Sequence, residues 1–104
     1  MLKFDIGQMD ASGHEQREKN VFYETREFKM RVIDLAPGQG LPRCEMVSHV
    51  IFVCVRGQAE VIVGNERTTI SRGQCLVTGP TSISMSTASG ARLLGIQVTP
   101  GSTE

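Results

Sequence analysis

From Val21 onward the apolar positions come in short runs, several of them with a two-residue period, separated by turn-forming residues. The runs are VFYE, FKMRVIDL, HVIFVCV, AEVIV, RTTI and CLVT, and the breaks are PGQG, RGQ, GNE, SRGQ and GPT. No segment sustains a helical period over eleven residues. Short strands broken by Gly and Pro are the pattern of a sandwich or a small barrel. Ala59, Val61 and Val63 alternate with Glu60 and Ile62 up to Gly64-Asn65, a two-residue hairpin signal that returns through residues 67–70. The expected fold is all-β, an antiparallel barrel of roughly eight to ten strands.

Residues 1–20 read differently. GHEQREKN, residues 13–20, has no apolar stripe to bury and is expected as a loop or solvated turn. Residues 1–30 hold 11 of the 22 charged side chains, so this part belongs to the surface, and His14 is expected there as a titrating histidine. The organisation predicted is a polar N-terminal segment, residues 1–20, and one barrel domain, residues 21–104, with no internal repeat or linker.

Composition narrows the partners. A chain of 104 residues can bury roughly two-thirds of its unfolded surface without a disulfide or a metal. Eleven basic residues balance eleven acidic ones, so the field that nucleic acid or an anionic membrane rewards is missing, and neither is an expected partner. The longest uncharged run, residues 73–91, is interrupted by Gly79, Pro80 and seven Ser or Thr residues, whereas a spanning helix needs about 20 mostly apolar residues. The start, MLKFDIGQMD, has Asp5 inside a short apolar stretch and no signal-like apolar region, so the expected location is cytoplasmic. Cys44, Cys54 and Cys75 lack CxxC spacing, which argues against a disulfide framework or zinc knuckle, and each reads as a reduced core thiol.

Residues 35–98 resemble a small single-domain cupin of the RmlC-like kind, a double-stranded β-helix or jelly roll. That family's first block runs Gly, spacer, His-x-His, three residues, Glu, six residues, Gly. Its second runs Gly, five residues, Pro-x-Gly, two residues, His. Gly57 matches the glycine closing the first block, Pro37-Gly38 the turn before the ligand strand, and VIFVCVRGQAEVIV the strand, turn and hairpin after it. Gly73-Gln74 opens the second block, and Ala91, Arg92, Leu93 and Leu94 fall on its closing strand. The resemblance implies that Cys44 and Met46 occupy the His-x-His positions, Val50 the glutamate and Ser84 the last histidine, with Gly79 and Thr81 at the proline and second glycine. All four usual ligands are replaced. A one-residue shift, with Pro80 at the proline position, puts Met85 in the last slot instead. Burial favours Ile83 and Met85 inward, while the ungapped frame favours Ser84 and is preferred here.

Three readings of the replaced site stay open. Cys44, Met46, Val50, Phe52 and Cys54 are packed core, or they line a mostly apolar barrel mouth in which hydroxyls, including those of Ser82 and Ser84, help to hold a small molecule. In the third, Cys44, Met46, His49 and Met85 form a soft metal site suited to Cu(I), although strand parity turns His49 outward unless the chain bulges at Val47-Ser48. The expected ligand-binding set is Cys44, Met46, Val50, Phe52, Ser82 and Ser84, with no catalytic residue assigned. Arg43 and Glu45 point away by alternation, so a charged ligand is expected to find no counter-ion inside. Cys44 is a nucleophile only if a neighbour lowers its pKa, and an apolar barrel raises it. The function expected is a non-catalytic small-molecule binding or sensing module with no cofactor. The alternative is a metal-dependent cupin enzyme with soft ligands, and a metal ion enters only there. Cupins commonly pair through their N-terminal strands, so the resemblance also implies a homodimer to which residues 21–35 contribute.

Overall fold

The computed structural model describes residues 1–99. Residues 100–104 of the expected barrel domain lie outside the described residues. A short 3₁₀ turn, Arg17–Asn20, leads into eight strands: β1 (Val21–Glu24), β2 (Phe28–Leu35), β3 (Gly40–Glu45), β4 (Val50–Val63), β5 (Glu66–Ser71), β6 (Cys75–Thr78), β7 (Ser82–Ser86) and β8 (Ala91–Val98). All pairings are antiparallel. One sheet runs β1-β2-β8-β4-β6 and the other β5-β4-β7-β3, so β4 belongs to both.

The double membership of β4 depends on a local irregularity. Its first half buries Val50, Phe52 and Cys54, and its second half buries Ala59 and Val61, so the inward parity changes from even to odd. The change follows a register shift between Cys54 and Arg56 and the positive φ of 78° at Gly57. One extra residue in one strand reverses the facing of every residue after it. A side chain on Gly57 would strike the carbonyl oxygen of Gly90. Arg56-Gly57-Gln58, expected as a turn, is therefore a bend inside a strand of 14 residues. The turn at Gly64-Asn65 does form, with Val63 opposite Glu66.

The core gathers Ile33 and Leu35 from β2, Phe52, Cys54, Ala59 and Val61 from β4, Ile70, Ile83, Met85, Ala91 and Leu93. On β7, Met85 lies opposite Val61 and Ile83 opposite Val63, while Ser84 lies opposite Ile62. Opposite residues share a face. Val61 is fully buried in the core, so Ile83 and Met85 point inward and Ser84 does not. The ungapped frame preferred from the sequence is corrected by the burial energetics that argued against it.

The cysteines divide. Cys54 is core, Cys44 is half-buried on β3, and Cys75, expected in the core, is exposed at the start of β6. Cys75 sits opposite Val53, on the outer parity of β4.

The N-terminal segment is fastened to the barrel at Ile6, Gly7 and Met9. Arg92 on β8 donates through Nε and Nη2 to both carboxylate oxygens of Asp34 on β2, at 2.7 and 2.8 Å. Its Nη1 donates to the carbonyls of Ile6 and Met9, at 3.0 and 2.6 Å. Arg56 Nη1 donates to the Gly7 carbonyl at 2.7 Å. Asn20, expected in a solvated stretch, is buried and exchanges hydrogen bonds with the backbone of Ser12.

Two outcomes follow from these contacts. The hydrogen bonds from Arg92 hold the Asp34 carboxyl below the ordinary carboxylate range, against an opposing effect of partial burial. A depressed folded-state pKa adds stability that is complete above the unfolded value, about 3.9, and lost as the pH falls through the lower folded value. Urea titrations should show this loss below about pH 4 in the wild type and a flatter profile in Asp34→Asn. Arg92→Met should cost about 2 kcal/mol at neutral pH, less than a fully buried pair because the Asp34 side chain is 37% exposed. Separately, burial pushes the Cys54 thiol up, so iodoacetamide on native protein at pH 8 should modify Cys75 first and Cys54 only after denaturation, as read by peptide mass mapping.

Candidate functional site

Three rows of paired residues run across β2, β8 and β4 on the inner face of the larger sheet. The deepest is Ile33, Leu93 and Cys54; the next is Arg31, Gly95 and Phe52; the outermost is Lys29, Gln97 and Val50. Polarity therefore rises from the packed end of the barrel to its mouth. The middle row is incomplete, because Gly95 places no side chain between its neighbours. A Cβ there would stand 3.4 Å from Ile33 Cδ1 and from Phe52 Cε1, and 3.7 Å from Arg31 Cγ.

The space above this row is a cavity of about 250 Å³. Its facing wall comes from the smaller sheet through Leu41, Cys44, Ile83 and Met85, with Met46 beyond the end of β3. Cys44, Met46, Val50 and Phe52, expected from the sequence to share a site, are all on the wall. Ser84 contributes to the lining although its strand parity is outward. Ser82 is buried opposite Glu45 and is not part of the lining.

The cationic residues of the site were missed from the sequence. Arg31 and Lys29 line the cavity, and Arg17, Arg43 and His14 border it, while no Asp or Glu is part of the wall among the described residues. The expectation that a charged ligand would find no counter-ion inside is corrected by Arg31. A signal was present: Lys29 and Arg31 share the parity of Ile33 and Leu35 in FKMRVIDL, so the face that buries apolar residues at one end of the strand presents cations at the other. His14, expected on the surface, is largely covered, with Nδ1 3.7 Å from Glu15 Oε1.

Arg31 is held under unusual terms. Its side chain is 12% exposed, and its Nε is buried without a hydrogen-bond partner among the described residues. Its ion pair with Glu18 spans 3.8 Å to a side chain that is 78% exposed, longer than a hydrogen bond. Burial, and then the nearby charge of Arg17, lower the Arg31 pKa, with Glu18 and Glu24 opposing; guanidinium nevertheless stays charged. An unsatisfied buried N–H costs about 1–3 kcal/mol, and more when it carries charge.

The wall does not fit the hard or borderline metal ion that the cupin resemblance implies. Such an ion is held by imidazoles and carboxylates, and among the described residues no group of three or more His, Cys, Asp or Glu side chains could hold one. Of the soft alternative, Cys44, Met46 and Met85 line the cavity; the exposed His49 instead lies against Gly79 and is not part of the lining.

No family model and no curated protein matches the chain. Solved structures do share its architecture. A cupin-superfamily protein from Desulfitobacterium hafniense superposes with a TM-score of 0.74 at 10% identity, over 89% of this chain and 85% of that one. A cupin protein from Bacteroides fragilis gives 0.67 at 24% identity, over 75% and 70%. Salicylate 1,2-dioxygenase from Pseudoaminobacter salicylatoxidans gives 0.68 at 17% identity, over 72% of this chain but 21% of that one. An enzyme stands among these neighbours, so the architecture by itself does not fix an activity. With its curled antiparallel sheets, its glycine-punctuated bend and these neighbours, the chain is a small barrel of cupin fold in which, among the described residues, no group of three or more His, Cys, Asp or Glu could hold a metal ion.

Proposed function

We propose that this protein binds a small molecule in the mouth of its barrel and does not transform it. The observation that carries the reading is the cavity of about 250 Å³, which remains open beside a fully packed barrel end. Pockets for drug-sized ligands run to roughly 300–1,000 Å³, so the occupant is smaller than these. Binding rather than catalysis is favoured by the chemistry of the wall. It has no carboxylate among the described residues to serve as a general acid or base. The three free cysteines suit a reducing compartment, so we place the protein in the cytoplasm.

We also propose a homodimer formed along β1. This strand is at the edge of the larger sheet, and an unpaired edge is a template for a second chain. Beside it Phe4 packs edge-on against Phe22 at 4.8 Å, and Tyr23 lies 5.9 Å from Phe28, with Phe4, Tyr23 and Val98 each exposed. β2 is enclosed between β1 and β8, so of residues 21–35 it is β1 that offers the edge.

A thermal-shift panel of small neutral and charged organic molecules tests the binding reading. A ligand at a hundred times its Kd should stabilise the wild type by about 2.7 kcal/mol, and Gly95→Val, which fills the gap between Ile33 and Phe52, should abolish the shift while the variant still melts cooperatively. A shift of equal size in Gly95→Val would move the ligand elsewhere and sink the proposal. For the dimer, light scattering at micromolar concentration should give twice the chain mass of 11.4 kDa; monomer alone would reject it.

A further inference from the structure

The barrel contains two mostly buried arginines with opposite circumstances. Arg92 spends its donors on both oxygens of Asp34 and on two backbone carbonyls. Arg31 has a buried Nε with no partner among the described residues and an ion pair with Glu18 at 3.8 Å. The first is a satisfied structural group, and the second lines the cavity with an Nε that is buried and unpartnered among the described residues. Guanidinium and carboxylate match as two parallel N–H···O bonds, the strongest way to satisfy such a fork.

We propose that the occupant of the cavity is a small organic acid whose carboxylate pairs with Arg31 and whose apolar body lies against Phe52, Ile33 and Met85. The proposal rests on the small-molecule binding reading given above and adds the ligand's chemical class to it. Arg31 stands in the middle row beside the Gly95 gap, between the apolar row Ile33, Leu93 and Cys54 and the row in which Lys29 and Gln97 join the apolar Val50. An amphipathic acid is oriented by this order, with its body inward and its head toward Lys29. Size agrees: a dry cavity of about 150 Å³ takes a benzene ring, so about 250 Å³ has room for a ring or branched chain with its acid group.

The acids near the mouth do not already serve as this partner. Glu18 reaches Lys29 Nζ and Arg31 Nη2 at 3.8 Å each, and Glu24 reaches Lys29 at 4.0 Å, both from largely exposed side chains. Arg43 and Glu45 pair at 3.8 Å on the rim, each more than two-thirds exposed. None of these carboxylates lines the cavity. Glu18 thus competes weakly from solvent for the same guanidinium, and an incoming carboxylate displaces it at little cost, because exposed pairs contribute little.

The test uses matched probes of nearly equal shape, 4-methylpentanoate against 4-methylpentanamide and benzoate against benzamide, titrated by calorimetry and thermal shift at low salt. Wild-type protein should bind each acid at least tenfold more tightly than its amide, with the preference shrinking as salt is added. Arg31→Met should lose ten- to a hundredfold in acid affinity, keep its affinity for the amides, and melt at or above the wild-type temperature without ligand. Glu18→Gln should strengthen acid binding two- to fivefold. Amides binding as well as acids would overturn the assignment while leaving the cavity-binding reading intact; no binding of either class at millimolar concentration would overturn both. An acid preference that survives in folded Arg31→Met would also overturn it. If Arg31→Met fails to fold, Arg31→Lys replaces it, and an acid preference undiminished by loss of the bidentate fork rejects the proposal.

Discussion

The architecture depends on one strand serving two sheets. β4 pairs with β8 and β6 through its first half and with β5 and β7 through its second. Apolar residues must face inward on both sides of the crossing, which a regular two-residue period cannot achieve once the strand bends from one sheet into the other. The irregularity after Cys54 and the left-handed backbone of Gly57 supply the missing residue of phase. Phe52 and Val61 thereby reach the same interior from opposite parities. The cavity is a consequence of this bend, since its two walls are the sheets that β4 joins.

Packing and charge divide the interior between them. At the closed end Leu93, Cys54, Val61 and Ile70 exclude solvent. At the mouth β2 and β8 present Lys29, Arg31 and Gln97. Strand β2 shows the division most clearly: Leu35 and Ile33 belong to the core, and two further residues along the same face the chain carries a guanidinium whose Nε lacks a partner among the described residues. A core optimised only for stability would place an apolar residue there, because removing a desolvated charge is often neutral or stabilising. The stability held elsewhere in the barrel tolerates this arginine.

Much of the fold was legible in the sequence because it is written in local chemistry. Gly73 and the alternation in AEVIV mark a turn and a half-buried strand by the conformations they allow. The facing of Met85 was legible in energetic terms, since two apolar side chains outweigh hydroxyls for an interior face, yet an ungapped frame pointed to Ser84. Frames count residues, and a bulged barrel does not conserve the count. The turn expected at Arg56-Gly57-Gln58 failed for a related reason: a positive-φ glycine permits a turn and a bend equally, and only the partner strand decides. Arg31 was masked by its position in the charged first third of the chain. His14 and Asn20 owe their partial or full burial to tertiary contacts that carry no local signature.

The attachment of the N-terminal segment has a different kind of implication. Arg92 and Arg56 grip this segment through the carbonyl oxygens of Ile6, Gly7 and Met9, groups that every amino acid possesses. The tether is therefore indifferent to which side chains stand at those three positions, provided the backbone keeps its path. The stretch can change its outward chemistry without releasing the turn that follows it, where Arg17 and Asn20 border the cavity. The barrel thus carries a surface free to diversify, fastened by bonds that do not depend on what is displayed.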